Sequence, residues 1–146
     1  MYKIPLTYTL LDTGEEVTKD FWFNLNKADV IKIHLTLDGG FDGFLEKLKT
    51  DPDVKSVMTV FEELILKSYG KRTPEGKFVK SKDYTDEFAA SDAYSQLFIK
   101  LLEDENGFAN KFVEGVMSVS PDKINEIIEA NPSLKSLASK DATSEF

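Results

Sequence analysis

Residues 65–78 read ILKSYGKRTPEGKF, and the fold class turns on what the two glycines are for. If Gly76 and Lys77 closed a phosphate-binding loop, the chain would be an α/β nucleotide-binding protein. Such a loop needs G-x-x-x-x-G-K-[ST], where backbone N–H groups and one lysine cradle phosphate while a hydroxyl holds Mg²⁺. The first glycine would stand at position 71, which is Lys71, and the hydroxyl at position 78, which is Phe78. A phosphate loop also follows a buried strand, whereas ILKSYG reads as a helix ending. Thr73-Pro74-Glu75-Gly76 has proline at the second position and glycine at the fourth, which suits a type I turn. Phe78 and Val79 then continue as a short extended arm. The stretch punctuates a helical protein.

Upstream of it, Val54, Val57, Met58, Phe61, Leu64 and Ile65 recur at helical spacing after Asp51-Pro52, and Gly70 stops the run. Earlier still, Asn26 caps a short helix carrying Val30, Ile31 and Ile33, which Gly39-Gly40 ends, and a further helix covers about residues 41–49. Downstream, Ser91 caps a helix with Ala93, Tyr94, Leu97, Phe98, Leu101 and Leu102 on one face. Phe108, Phe112, Val113, Val116 and Met117 mark another, and Ser120-Pro121 opens a last one that ends at Asn131-Pro132. The first 24 residues differ. Ile4, Leu6, Tyr8 and Leu10 alternate, as do Val17, Phe21 and Phe23, on either side of Asp12-Thr13-Gly14, which predicts a β-hairpin. The expectation is a mainly α protein with a small N-terminal β-hairpin (α+β) and a single compact helical domain of five to six helices. Its divisions are 1–24 for the hairpin, 25–132 for the helical domain with a basic loop at 70–82, and 133–146 for a flexible tail.

Composition bounds the function. A chain of 146 residues, 41% apolar, makes one domain with a real core, or at most two small ones. A net charge of −8 argues against nucleic acid as a partner, because phosphates repel it. The absence of cysteine removes thiol nucleophiles, zinc clusters and disulfides from consideration. No apolar run approaches the roughly 18 residues of a membrane span, and MYKIPLTYT lacks the basic start and apolar stretch of a signal peptide. A soluble intracellular protein with no membrane partner is expected.

Three motifs suggest chemistry and fail. Asp12-Thr13-Gly14 matches the aspartic-protease triplet, but Glu15 follows it and the remaining chain is helical, so a turn is the better account. LDGGFDGFLEKLK (37–49) places Asp38, Asp42 and Gly43 at positions 1, 5 and 6 of a calcium loop. Position 3 is Gly40 and position 12 is Lys49, so the bidentate acid is missing. His34 is the single histidine, which excludes a multi-histidine metal site and a His-paired nucleophile. Glu62-Glu63 and Glu103-Asp104-Glu105 read as solvated helix faces rather than acid/base pairs. No catalytic residue and no cofactor is expected.

The charge pattern singles out one segment. Positions 67–82 hold six of the 18 basic residues (Lys67, Lys71, Arg72, Lys77, Lys80 and Lys82) and one acid, Glu75, leaving 12 basic against 25 acidic residues elsewhere. Either these charges balance acidic helices of the same molecule, or Lys71, Arg72, Lys77, Phe78 and Lys80 form a contact arm for an acidic partner, including another copy of the chain. An acidic DNA mimic, or another host-directed inhibitor, is the competing reading. The basic segment interrupts the regular rows of acids that mimicry needs.

Those same residues carry a family likeness. WFNLNKADV (22–30), Gly39-Gly40, FEELILKSYGKRTPEGKFVKS (61–81), DEFAASDAYSQLF (86–98) and LLEDENGFANKFVEGV (101–116) resemble the tail assembly chaperones of long-tailed bacteriophages. There a helix ending like ILKSYG leads into a Gly-Lys-rich loop. A helix of pattern F-x-x-[ST]-x-A-Y-x-x-L-F follows, matched here by Phe88, Ser91, Ala93, Tyr94, Leu97 and Phe98. The likeness covers about residues 20–117. It implies a non-enzymatic protein that binds the apolar tape measure protein, recruits tail tube subunits, acts in the host cytoplasm and is absent from the mature virion.

Overall fold

Eight-residue strands form at both alternating runs. β1 (Tyr2–Thr9) and β2 (Glu16–Phe23) pair antiparallel from Tyr2↔Phe23 to Thr9↔Glu16. The turn between them is closed by Leu10 N–H donating to the Glu15 carbonyl at 2.8 Å, with Gly14 at φ +75° supplying the left-handed position. In the computed structural model, which describes residues 1–37, 39–50, 54–117 and 121–133, this ribbon is half of a larger sheet. β3 (Tyr69–Arg72) lies beside β2 through Trp22↔Gly70 and Phe23↔Tyr69, and β4 (Phe78–Val79) pairs with β3, giving the antiparallel order β1-β2-β3-β4. The isolated hairpin is therefore corrected to a four-stranded sheet. β3 and β4 are too short to display an alternation, and what makes them strands is pairing with residues distant in sequence.

Seven α-helices stand among the described residues: α1 (Lys27–Thr36), α2 (Gly40–Thr50), α3 (Val54–Ser68), α4 (Lys82–Ala89), α5 (Asp92–Glu103), α6 (Phe108–Val116) and α7 (Pro121–Glu129). The expected five to six omitted α4. Its sequence KDYTDEFA buries only Phe88 fully and so shows no apolar stripe. Phe88 consequently belongs to α4 and not to the helix that Ser91 caps, from which Ala90 and Ser91 separate it. Asn26, Ser81 and Ser91 each accept a hydrogen bond from a backbone N–H three residues on, which fixes the starts of α1, α4 and α5. α3 ends at Ser68, so Gly70 sits inside β3 rather than at the helix stop. Asp38, Asp51-Pro52 and Ser118–Ser120 lie outside the described residues, as does the tail expected over 133–146 apart from Ser133.

The chain divides into two compact units, each discontinuous in sequence. Unit 1 comprises residues 1–24 and 58–116. The inner face of its sheet presents Ile4, Leu6, Phe23 and Tyr69 to Phe88, Leu97, Leu101 and Phe112, all buried. Phe23 meets Phe112 edge-on at 5.7 Å and Phe88 at 5.9 Å, while Tyr69 stacks on Phe88 at 4.2 Å. Each such ring contributes roughly 1.5–3 kcal/mol by burial, so this cluster holds the sheet to its helices. Unit 2 comprises residues 25–57 and those from 117 on. Its described core contains Leu25, Val30, Ile33, Phe41, Phe44, Ile124 and Ile128, and Leu25 forms a parallel bridge with Met117.

Candidate functional site

The basic segment folds as the β3–β4 hairpin of unit 1. Gly76 N–H donates to the Thr73 carbonyl at 2.8 Å, closing the Pro-Gly turn, and Thr73 N–H donates to the Lys77 carbonyl at 2.8 Å. Gly76 adopts φ +85°. Glu75, the segment's one acid, has its carboxyl held below the usual range by its own backbone N–H and then by the Thr73 hydroxyl. Glu75 therefore stays ionised at the exposed tip of the hairpin.

The two faces of the sheet then sort the expected contact residues. Tyr69 and Lys71 face inward. Lys71 Nζ sits 2.8 Å from Glu87 Oε1 and 4.6 Å from the centre of the Tyr84 ring, so α4 already holds this cation. Tyr69, beside it, has its phenol pushed up to about 12, first by burial and then by Glu87. Arg72 and Phe78 face outward as a cross-strand pair. The Arg72 guanidinium lies 4.8 Å from the centre of the Trp22 ring. Phe78 covers Gly70, where an added Cβ would stand 2.6 Å from the ring. Lys80 Nζ approaches the Phe78 ring at 6.0 Å and donates to the Lys67 carbonyl at 2.8 Å. Lys77 is exposed at the turn. The structure therefore brings Arg72, Phe78 and Lys80 to one face and sends Lys71 to the other.

Two residues of that outer face went unread in the sequence. Trp22 and its cross-strand neighbour Lys3 complete a row, with Lys3 Nζ 5.8 Å from the indole. The signal was present in the alternation, because Phe21 and Phe23 point inward and therefore put the chain's only tryptophan among the polar positions.

A second feature lies on α5. Ala93, Leu97 and Leu101 are buried, but Ile99 is 49% and Leu102 42% exposed, with Tyr94 and Phe98 half-buried between them. Burial and then Glu62 on α3 push the Tyr94 phenol up, which places it near Glu62. Met58, one turn earlier on the same face of α3, is 39% exposed. The α5 side chains form an apolar margin that unit 1 does not bury, and Met58 is a further exposed apolar residue on α3. A cleft of about 230 Å³ near the end of α5, lined by Lys100, Glu103, Glu105, Asn106, Phe108 and Lys111, is smaller than the roughly 300 Å³ where ligand sites begin.

The remaining candidates resolve locally. His34 Nδ1 accepts the Phe41 N–H at 3.3 Å, and its ring packs over Gly40, tying α1 to the start of α2. Burial lowers its pKa, against an opposing pull from Asp42. Asp12-Thr13-Gly14 is the β1–β2 turn, and Asp42 and Gly43 lie within α2. Among the described residues no three His, Cys, Asp or Glu side chains gather to hold a metal, and no helix is long and apolar enough to cross a membrane.

The sequence model of one family, described as Phage tail assembly chaperone, matches residues 1–145. The chain belongs to that family. The match spans both units, including β1 and the stretch after residue 117, neither of which carried the motif-level likeness. No curated protein and no solved structure matches the chain. Membership in a tail assembly chaperone family points to tail proteins as the general class of partner.

Proposed function

We propose that this chain is a non-enzymatic tail assembly chaperone that holds apolar helical stretches of the phage tape measure protein while tail tube subunits are recruited around it. It does so in the cytoplasm of the infected host and leaves before the virion is complete. The observation that carries this reading is the uncovered margin on α5, where Ile99 and Leu102 remain exposed beside half-buried Tyr94 and Phe98. Residues at i, i+3 and i+4 along one helix make the ridge that an amphipathic client helix docks against. Family membership supports the choice of a tail protein as that client.

Co-expression with the tape measure protein tests it. Wild type should keep that protein soluble and be captured with it. Ile99→Asp with Leu102→Asp should reduce capture at least about tenfold, the loss expected when a hot-spot contact is removed, while barely changing the melting temperature because both side chains already face water. Undiminished capture by this double variant would sink the proposed surface.

A further inference from the structure

We propose that the occupant of the α5 margin is a basic amphipathic helix, whose lysine or arginine side chains flank its apolar stripe and meet Glu62 and Glu103. This rests on the client surface described above and names the chemistry that its client must carry. Ser95, Ile99 and Leu102 are exposed along one side of α5, and the Tyr94 and Phe98 rings, 5.8 Å apart, border them. Glu103 follows Ile99 by one helical turn and closes the C-terminal end of that stripe. Glu62 on α3 lies near Tyr94, towards the other end. Both carboxylates are exposed, and among the described residues neither is held in an ion pair.

The surrounding cations are held elsewhere. Lys67 pairs with Glu63 at 3.2 Å. The Lys100 ammonium lies 4.8 Å from the centre of the Phe108 ring, drawn towards the start of α6. Lys111 lines the small cleft with Glu103 but forms no ion pair with it. Asp92, by contrast, is committed within the fold, accepting the Thr9 N–H at 2.9 Å and the Gln96 amide at 3.4 Å. Two acids thus remain open to a docked helix. The positions of Tyr94 and Glu103 are roughly 14 Å apart along α5. A helix laid beside it meets both acids with cations about seven or eleven positions apart, the same-face spacings nearest that length. The long stems of lysine and arginine also cover apolar surface at its rim. The net charge of −8 draws such a helix in, and the two margin acids fix where it settles. A helix with acidic flanks would instead set like charges side by side.

Two labelled alanine-based peptides of about 20 residues, long enough to be helical, share one leucine stripe. They differ only in carrying lysine or glutamate at two flanking positions about seven apart. Fluorescence anisotropy with the full chain at ~100 mM salt should show the lysine peptide binding at least about tenfold more tightly. Raising salt to ~500 mM should narrow that ratio, since screening lengths fall below ~5 Å. Glu62→Gln with Glu103→Gln should bring it to within about threefold, with an unchanged circular-dichroism melt because both side chains face water. Ile99→Ser with Leu102→Ser should weaken the lysine peptide at least about tenfold. Equal binding of the two peptides overturns this inference and leaves the client margin standing. A preference that survives the glutamine variant overturns it too, giving the selection to the overall field of the chain. Undiminished binding by the serine variant places the contact elsewhere and overturns both readings of the margin. Binding of neither peptide removes the margin as a helix-docking surface, and this inference with it.

Discussion

Phe61 and Phe98 occupy comparable positions in the apolar periodicity of their helices, yet Phe61 is fully buried and Phe98 only half. Periodicity names a face; it does not say how much of that face a neighbour covers. Phe61→Ala should therefore cost roughly 3–5 kcal/mol, the range for an enclosed aromatic. Phe98→Ala should cost about half as much, since part of its ring is already hydrated, and chemical denaturation of both variants measures the difference. Equal losses would mean that Phe98 is enclosed in solution and would weaken the client margin. His34 poses the opposite problem. Its role in the α1–α2 turn was invisible because contact with Gly40 and with the Phe41 N–H depends on backbone geometry. Because burial lowers its pKa in the folded chain, the unfolded chain binds the proton more readily. Stability is thus intact above its ordinary value near 6.5 and falls as pH drops below it towards the lowered folded value. His34→Gln should flatten the fall in melting temperature between pH 7.5 and 5.5. If wild type and variant lose equal amounts, other groups carry the titration.

At the scale of elements, long periodic segments were legible and short ones were not. α1, α3, α5, α6 and the β1–β2 ribbon follow from spacing and caps that a single window contains. α4, β3 and β4 follow from contacts that no window contains: Phe88 under Tyr69, and Gly70 beside Trp22. For α4 the local contribution is mainly its cap. An eight-residue helix is too short to form alone, so Ser81→Ala, which removes the acceptor for Tyr84 N–H, should cost about 0.5–2 kcal/mol. Loss of the cap should also loosen Glu87, and with it the Lys71 pair, without touching Arg72. The edge of β1 shows a further use of single residues. Leu10 N–H reaches across to β2, so the odd-numbered residues turn their N–H groups to the open edge. Pro5 has none to offer, and Thr9 N–H is taken by Asp92 Oδ2 at 2.9 Å. Proline and a capped donor are recognised ways to stop a strand from pairing with another chain. Pro5→Thr combined with Asp92→Ala should therefore increase light scattering on storage, whereas either alone should have a smaller effect. A double variant that stays clear at the same concentration would show that α5 and not the edge chemistry protects β1.

For the whole molecule, the two units interleave along the chain, with boundaries at residues 24, 57 and 116, and neither can be cut out as one piece. This organisation escaped the sequence because local composition changes little at those boundaries, while the pairing that defines each unit joins Phe23 to Tyr69 and Leu25 to Met117. A unit defined by such distant contacts should depend on its last segment as much as on its first. Ending the chain after Val116 leaves unit 1 complete and takes from unit 2 Met117 and α7, with Ile124 and Ile128. At roughly 1.5–3 kcal/mol for each buried side chain, the loss amounts to several kcal/mol, comparable with the whole stability of a small unit. Hydrogen exchange should then show α1 and α2 losing most of their protection, while β1, β2 and α5 keep theirs to within about tenfold, as separate cooperative segments do. The shortened chain should retain tape measure capture, because Ile99 and Leu102 both lie in unit 1. Two outcomes would count against this division of labour. If α1 and α2 stay protected, α7 contributes nothing essential to unit 2. If every segment loses protection together, the chain unfolds as one body and its stability cannot be assigned unit by unit.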